Sequence, residues 1–181
     1  MGEALLFGKG MRKAMDRNRR PPSVSRELAL WLLLMRTARV IGRARERELL
    51  DGTVSAQGFA ILLTILRQGS RATPASISRE TVLEPNTISQ QLTRMEKDGL
   101  VSRVKDLERR NQVRIEVTEK GYQGFLEAAK RPITKTIMSV LNKEEQQILW
   151  DILAKLRSKA LDELGANSKT VYPPAKLSGT D

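Results

Sequence analysis

The sequence predicts a mainly α-helical protein with one small β-hairpin. Apolar residues recur at three- and four-residue steps through most of residues 24–164, which is the pattern of amphipathic helices. Residues 101–117 differ, because apolar and polar residues alternate there on either side of a polar segment, as in a hairpin. Hydrophobic residues make up 40 % of the chain and aromatic residues only 4 %, so we expect an aliphatic core between helices.

Composition excludes several classes of protein. The chain has no cysteine and no histidine, which excludes disulfides, zinc–thiolate sites and imidazole chemistry. It also lacks a Gly-rich phosphate loop, a nucleophile elbow and paired carboxylates, so we expect no enzyme activity, no metal ion and no cofactor. The longest apolar run, residues 28–35, is too short to cross a membrane. With no signal-peptide core in the first residues, we expect a cytoplasmic protein.

The net charge of +11 and the pI of about 10.3 favour a polyanionic partner. The charge is uneven, since residues 1–50 carry 12 basic and 5 acidic side chains while residues 70–120 carry 10 and 8. Residues 1–23 are therefore interpreted as a basic flexible arm, which either stays solvated or adds salt-sensitive contacts to DNA. Residues 165–181 are interpreted as a disordered tail.

Two helices are predicted first. One begins at Ser23 or Ser25 and ends at Leu50, and its apolar stripe fits either a simple core or packing against a second copy of itself. The next is capped by Ser55, covers residues 56–68 and ends at Gly69. Its expected buried face is Phe59, Leu62, Leu63 and Leu66.

A helix-turn-helix follows. Thr73 caps a short helix over residues 74–81, and after a three-residue turn Pro85 opens a helix that ends near Asp98. One stripe of this second helix is apolar and predicted to be buried, at Ile88, Leu92 and Met95. The opposite face is polar and nearly uncharged, at Asn86, Thr87, Ser89, Gln90, Thr93 and Arg94.

Two predicted strands, residues 101–104 and 113–117, enclose a polar, basic tip. A helix-turn-helix followed by such a hairpin is a winged helix, here over residues 53–118. A helix that presents uncharged polar side chains beside a basic ribbon suits the reading of base edges and the binding of phosphates. The working hypothesis is sequence-specific binding of double-stranded DNA.

Two predicted C-terminal helices complete the chain. The first begins after Thr118, with a kink or break expected at Pro132 and an apolar stripe at Tyr122, Phe125, Leu126, Ala129, Ile133, Ile137 and Val140. Asn142 and Glu145 form a capping-box-like start for the last helix, which ends at Leu164. Its apolar side is Ile148, Ile152, Leu153, Leu156, Ala160 and Leu164.

These residues resemble the MarR family of winged-helix transcriptional regulators over residues 24–164. The matching sequence segments occur in the family's order and spacing, and they are T-P-A-S-I-S-R-E, N-T-I-S-Q-Q-L-T-R-M-E-K-D-G-L-V-S-R and V-T-E-K-G. The resemblance implies an obligate homodimer in which residues 24–50 and 119–164 are dimerisation helices, and in many members an effector pocket. The effector is either a small organic molecule, such as an anion held by Arg36, Arg39 or Arg43, or there is none.

The wing departs from the family pattern. The family's D-x-R-x-x-R signature falls on Asp106, Glu108 and Asn111, so both of its arginine positions are replaced. Arg109 and Arg110 stand beside those positions. One of the two is still expected in the minor groove, whose negative potential attracts arginine, and the choice between them is open.

The predicted mechanism places the helix that begins at Pro85 in the major groove. The expected base contacts are Asn86, Ser89, Gln90 and Arg94, the expected phosphate contacts near helix N-termini are Thr73, Ser76 and Thr87, and the expected flanking backbone contacts are Arg103 and Arg114. A homodimeric transcriptional regulator with a roughly palindromic operator is the leading hypothesis. The resemblance to the family favours a repressor over an activator, and the choice between them is open. The alternative is a winged-helix module for protein interaction or RNA binding, which a footprint without twofold symmetry would favour.

Overall fold

The computed structural model describes residues 23–105 and 113–165, and the architecture is mainly α with a two-stranded antiparallel hairpin, as predicted. The chain divides into two compact units, of which the first ends at Ala38 and the second begins at Arg39. The elements are α1 (Arg26–Glu48), α2 (Ala56–Gln68), α3 (Pro74–Thr81), α4 (Pro85–Lys97), β1 (Val101–Lys105), β2 (Val113–Val117), α5 (Glu119–Lys130), α6 (Ile133–Met138) and α7 (Lys143–Glu163). The predicted arm and tail lie almost wholly outside the described residues.

The helix starts follow from local capping chemistry. Ser55 Oγ accepts a hydrogen bond from the Gly58 amide at 3.0 Å, and Asn142 forms a reciprocal capping box with Glu145. Both caps are as predicted, and so are the bounds of α2 and α3. The first helix begins directly after Ser25, one of the two predicted starts, whose Oγ accepts a hydrogen bond from the Leu28 amide. It ends at Glu48, earlier than predicted, because residues 49–52 already form a turn.

The hydrophobic core lies in the second unit and is aliphatic, as the low aromatic content predicts. Its largest fully buried side chains are Ile61, Leu62, Ile77, Ile88, Leu92 and Ile115. The predicted α4 stripe of Ile88, Leu92 and Met95 is buried, which confirms its orientation. The core therefore fixes α4 with its polar face outward.

The hairpin is attached to the same core. β1 and β2 pair with Val101 opposite Val117 and Lys105 opposite Val113. The amide of Ile115 also donates a hydrogen bond to the carbonyl of Ala72 at 2.8 Å, so the segment before α3 extends the ladder. The β2 edge of the hairpin is consequently anchored to the helix-turn-helix.

The predicted buried face of α2 is confirmed at Leu62 and at Phe59, which packs against the core, but was wrong at Leu66, which is 37 % exposed. The buried residues of α2 are Gly58, Ile61, Leu62, Thr64 and Ile65. Apolar residues occupy both stripes of this helix, so periodicity alone could not decide between them. The position of the neighbouring α3, α5 and β2 decides which stripe is covered.

The predicted face of α5 is confirmed at Phe125, which packs against the core, and was wrong at Tyr122 and Ala129, which are exposed. The fully buried positions are the small residues Gly121, Gly124 and Ala128. Close approach of α5 to the preceding loop and strand requires small side chains, which a hydrophobicity pattern does not weight. The expected break at Pro132 is confirmed, because α5 ends at Lys130 and α6 begins at Ile133.

α1 and α7 have large apolar side chains without cover in the single chain. No residue of α1 is buried, and Trp31 is 54 % exposed. On α7, the predicted apolar side is exposed along its whole length, at Ile148, Ile152, Leu153, Leu156, Ala160 and Leu164. Within the described ranges, no helix has both the length and the apolar character needed to cross a bilayer.

Candidate nucleic-acid interface

The turn between α3 and α4 sets the direction of the exposed helix. Val82 ends α3 in the left-handed region, with φ 56°, and its amide donates to the carbonyl of Ser78. The Ser78 hydroxyl donates to the carbonyl of Leu83 at 2.7 Å, which closes the turn from the inside. Pro85 then supplies a φ suited to the first turn of α4.

The outer face of α4 carries all four predicted base-contacting residues. Asn86, Ser89, Gln90 and Arg94 are exposed, while Thr87 on the same helix is half-buried. Arginine, asparagine and glutamine can each make two hydrogen bonds to a base edge, so these side chains could discriminate bases.

The N-terminus of α4 differs from the other long helices. Side-chain oxygens of Ser55, Thr73, Thr118 and Asn142 cap α2, α3, α5 and α7. At α4 the N-cap residue is Glu84, and its side chain makes no cap hydrogen bond. The N-cap side chain of α4 therefore leaves its first-turn amides open, and such amides can bind an anion such as a DNA phosphate.

Thr73 and Ser76, two predicted phosphate contacts, have partners inside the chain. Ser76 N donates to Thr73 Oγ1 at 3.1 Å and Thr73 N donates to Ser76 Oγ at 2.8 Å. The Ser76 hydroxyl also lies 2.6 Å from Gln68 Oε1. These hydroxyl groups cap α3, and their contact with phosphate stays a prediction.

Arg103 and Arg114 are held on the two strands of the wing. Arg103 Nε lies 3.4 Å from Glu96 Oε2, and its Nη2 donates to Thr93 Oγ1 at 3.1 Å. Arg114 Nη2 lies 2.6 Å from Glu116 Oε1. Arg103 is thus tied to α4, so the position of the wing base and that of the helix depend on each other.

Sequence reasoning missed the residues that support this surface. Thr93 and Glu96 hold Arg103, and Gln91 Nε2 donates to Gln57 Oε1 at 3.0 Å, which ties α4 to α2. No sequence signal identifies these pairs, because each joins residues on different elements. The predicted wing-tip residues Asp106, Glu108, Arg109, Arg110 and Asn111 lie outside the described residues.

A half-buried carboxylate joins α2 and α3. Glu80 Oε1 lies 2.9 Å from Arg67 Nη1, and Glu80 Oε2 accepts from Gln68 Nε2 at 2.7 Å. Burial lowers the pKa of Arg157 on α7, and the nearby charge of Glu80 opposes that shift. The Arg36, Arg39 and Arg43 side chains, considered as effector ligands, are exposed on α1.

Known proteins resemble this chain in sequence and in fold. The profile of the MarR family matches residues 54–111. An uncharacterized HTH-type transcriptional regulator of Bacillus cereus (strain ZK / E33L) is 27 % identical over 130 residues, which is 70 % of this chain and 86 % of that protein. The HTH-type transcriptional regulator PecS of Dickeya dadantii (strain 3937) is 25 % identical over 144 residues, which is 77 % of this chain and 87 % of PecS.

A solved structure extends the similarity to nearly the whole chain. The organohalide-sensing RdhR transcriptional regulator, in its 2,4-dichlorophenol-bound form, has a TM-score of 0.78 and 32 % sequence identity. The match covers 88 % of this chain and 97 % of that one. With the family profile on the helix-turn-helix and this identity over both chains, the protein belongs to the MarR family of DNA-binding transcriptional regulators, which are not enzymes.

Proposed function

We propose that this protein is a homodimeric repressor that binds a pseudo-palindromic DNA operator, with α4 in the major groove and the wing in the minor groove. The observation that carries the proposal is the outer face of α4, where Asn86, Ser89, Gln90 and Arg94 are exposed above an uncapped helix N-terminus. The side chains would read base edges, and the first-turn amides would bind a phosphate.

The charges around α4 favour selective over nonspecific binding. Residues 70–120 are nearly balanced in charge, so attraction to phosphate cannot by itself account for the interaction of this region with DNA. Arg103 and Arg114 would contact the backbone beside the wing, while Arg109 or Arg110 would enter the minor groove. Thr73, Ser76 and Thr87 would add phosphate contacts.

The uncovered faces of α1 and α7 support a homodimer. Large apolar side chains rarely remain exposed in such number on a soluble monomer. The sequence of α1 is apolar on more than one side over residues 28–35, which is typical of a helix that is buried on assembly. A twofold dimer would place the two α4 helices on half-sites about 34 Å apart.

The proposed effector is a small phenol that releases the operator. The RdhR regulator, at 32 % identity, was solved with 2,4-dichlorophenol. On α7 of this chain, the Trp150 indole N–H is buried and has no hydrogen-bond acceptor among the described residues. Half-buried Arg157 lies seven residues further on, on the same side of the helix. A phenolate oxygen would accept a hydrogen bond from that indole in a positively charged setting.

The DNA-reading role is tested with Gln90→Ala. Gln90 is exposed on α4, so its replacement should weaken binding to a selected operator by about 1–3 kcal/mol and relax the preference at one base pair. The matched control is Gln123→Ala, which removes an exposed glutamine from α5. Affinities are measured on operator and scrambled duplexes at several salt concentrations.

Equal weakening of both duplexes by Gln90→Ala would refute base reading by α4. A footprint without twofold symmetry, or none on any genomic fragment, would instead favour a protein-interaction or RNA-binding module. The effector is tested by titrating 2,4-dichlorophenol into wild type and Trp150→Phe while operator binding is followed. Release from the operator by the phenol in wild type, and weaker release in the variant, is the expected result.

A further inference from the structure

The last turns of α1 carry an ion pair with long-range partners. Arg45 Nη1 lies 2.6 Å from Glu48 Oε2, and the two side chains are only 14 % and 13 % exposed. Arg45 Nη2 donates to the carbonyl of Ala128 at 2.6 Å, and Glu48 Oε1 accepts from the amide of Ile133 at 2.7 Å. One ion pair therefore contacts the chain on both sides of the break at Pro132.

Those two backbone groups lie where helix termini need partners from outside the helix. Ala128 is in the last turn of α5, where carbonyls lack the regular amide donor, and its oxygen accepts a long bond of 3.3 Å from the Arg131 amide. A cation there is also favoured by the helix dipole. Ile133 is the first residue of α6, whose N-cap residue is Pro132 and makes no side-chain cap hydrogen bond. Arg45 and Glu48 thus supply, from α1, the side-chain caps that the local sequence lacks.

Arg45 also contacts an aromatic ring. The Arg45 guanidinium carbon lies 5.2 Å from the centroid of the Phe59 ring on α2, within cation–π range. Phe59 in turn stacks on Phe125 of α5, with ring centroids 4.9 Å apart. The C-terminal end of α1 therefore contacts α2 and α5 through Arg45, and it contacts α6 through Glu48.

Partial burial makes this arrangement sensitive to the loss of either partner. When one member of a low-exposure ion pair is removed, the other is left as an uncompensated charge. Lysine cannot replace Arg45 fully, because only a guanidinium can donate to Glu48 and Ala128 through two nitrogens at once. Loss of Arg45 removes the cap at the Ala128 carbonyl, and loss of Glu48 removes the cap at the Ile133 amide.

We propose that Arg45 and Glu48 are positioning residues that hold the α5–α6 break rigid and thereby fix the distance between the two α4 helices of the dimer. The inference rests on the proposed homodimer. The helix-turn-helix leads through α5 into α6 and α7, while α7 carries a proposed dimer face. Bending at Pro132 would change the distance between α4 and that face, and Arg45 and Glu48 oppose such bending.

The first test varies the operator. Half-sites selected from a random duplex library by the wild-type protein are placed at the selected spacing and with one or two base pairs inserted between them. We expect wild type to lose about tenfold in affinity per inserted base pair, because the DNA must be deformed to fit. Arg45→Met and Glu48→Gln should lose about threefold or less on the same series, since a flexible break adapts to the wrong spacing.

The matched control is Arg67→Met, which removes the guanidinium–carboxylate pair between α2 and α3 and leaves the contacts at the break unchanged. It should keep the wild-type dependence on spacing. If Arg45→Met and Glu48→Gln weaken every duplex by one common factor, the inference is overturned and the residues serve stability alone. An operator without two half-sites would overturn the proposed dimeric mode itself.

The second test measures the distance without DNA. The sequence has no cysteine, so Lys97→Cys at the exposed end of α4 gives one spin label per chain. Pulsed electron resonance should show a narrow label-to-label distribution in the dimer and a broader one after Arg45→Met. Equal widths would overturn the inference, whereas the absence of any label-to-label distance would overturn the dimer.

Discussion

At the scale of single residues, Gly121 lies where α5 approaches the backbone of Leu100 closely. A Cβ at this position would overlap the carbonyl oxygen of Leu100, which accepts the Thr118 amide at 3.1 Å. We expect Gly121→Ala to destabilise the fold by about 2–3 kcal/mol, although alanine normally favours a helix by about 1 kcal/mol. The urea midpoint at constant m measures the effect.

Gly124→Ala provides the graded comparison. Its Cβ would lie 2.8 Å from a methyl carbon of Val54, and a side-chain methyl can move whereas the Leu100 carbonyl cannot. We expect a smaller loss, of about 1 kcal/mol. Equal losses for the two variants would show that backbone proximity at Gly121 is not the cause.

Val82 is a second residue with a backbone requirement. It is β-branched, 53 % exposed and held at φ 56°, a region that costs an L-residue about 1–2 kcal/mol. Val82→Asn should stabilise the protein by about 1 kcal/mol, because asparagine tolerates this conformation and little apolar burial is lost. Thermal unfolding should show a midpoint raised by about 2–4 °C.

Val82→Ala is the control, since alanine removes the branching but keeps the Cβ. It should recover only part of the gain. A midpoint for Val82→Asn at or below that of wild type would mean that the turn between α3 and α4 is not strained.

The residues predicted well from the sequence are those whose cause is local. Ser55, Thr73 and Asn142 cap helices that begin at the next residue, and Pro132 breaks a helix by its own ring. Arg103 could not be predicted in its observed role, because its partners on α4 become neighbours only after the hairpin has folded back.

At the scale of elements, a substitution at the N-terminus of α4 should change protein stability and DNA affinity in opposite directions. Glu84 is exposed at the N-cap, where its carboxylate stabilises the helix by interacting with the positive end of the helix dipole. The same carboxylate repels a DNA phosphate. Glu84→Gln should lower stability by about 0.3–1 kcal/mol. The same change should raise affinity for DNA a few-fold at low salt, as measured by fluorescence anisotropy.

Glu144→Gln is the matched control, because it removes an exposed carboxylate from the first turn of α7 instead. It should produce a similar small loss of stability and no gain in DNA affinity. If Glu84→Gln also leaves DNA affinity unchanged, the start of α4 does not face the phosphates.

Element faces were harder to predict than element bounds. The bounds of α2 agree with the sequence prediction, but its buried stripe passes through Gly58 and Ile65 rather than Leu66. On α5 the covered stripe consists of small residues. Hydrophobic periodicity measures which side chains avoid water, whereas burial at these places depends on how near a neighbouring backbone comes. Only the assembled core determines that distance.

At the scale of the whole molecule, the uncovered apolar sides of α1 and α7 explain why the sequence has more apolar helix than one winged helix requires. The core closes around residues of the second unit, yet Leu156 on α7 is 53 % exposed. If these sides meet in a dimer, folding and association are linked, and the thermal midpoint should rise with protein concentration.

Leu156→Glu tests this linkage, because it puts a charge on the apolar side of α7 at a position that is exposed in the single chain. We expect a monomer by sedimentation velocity, a lower midpoint without concentration dependence, and loss of operator binding. Ser158→Glu is the control, since it adds the same charge at an exposed position two residues on, on a different side of the helix. A Leu156→Glu protein that remains dimeric would place the interface elsewhere, and one that is monomeric yet binds a two-half-site operator with full affinity would separate DNA recognition from assembly.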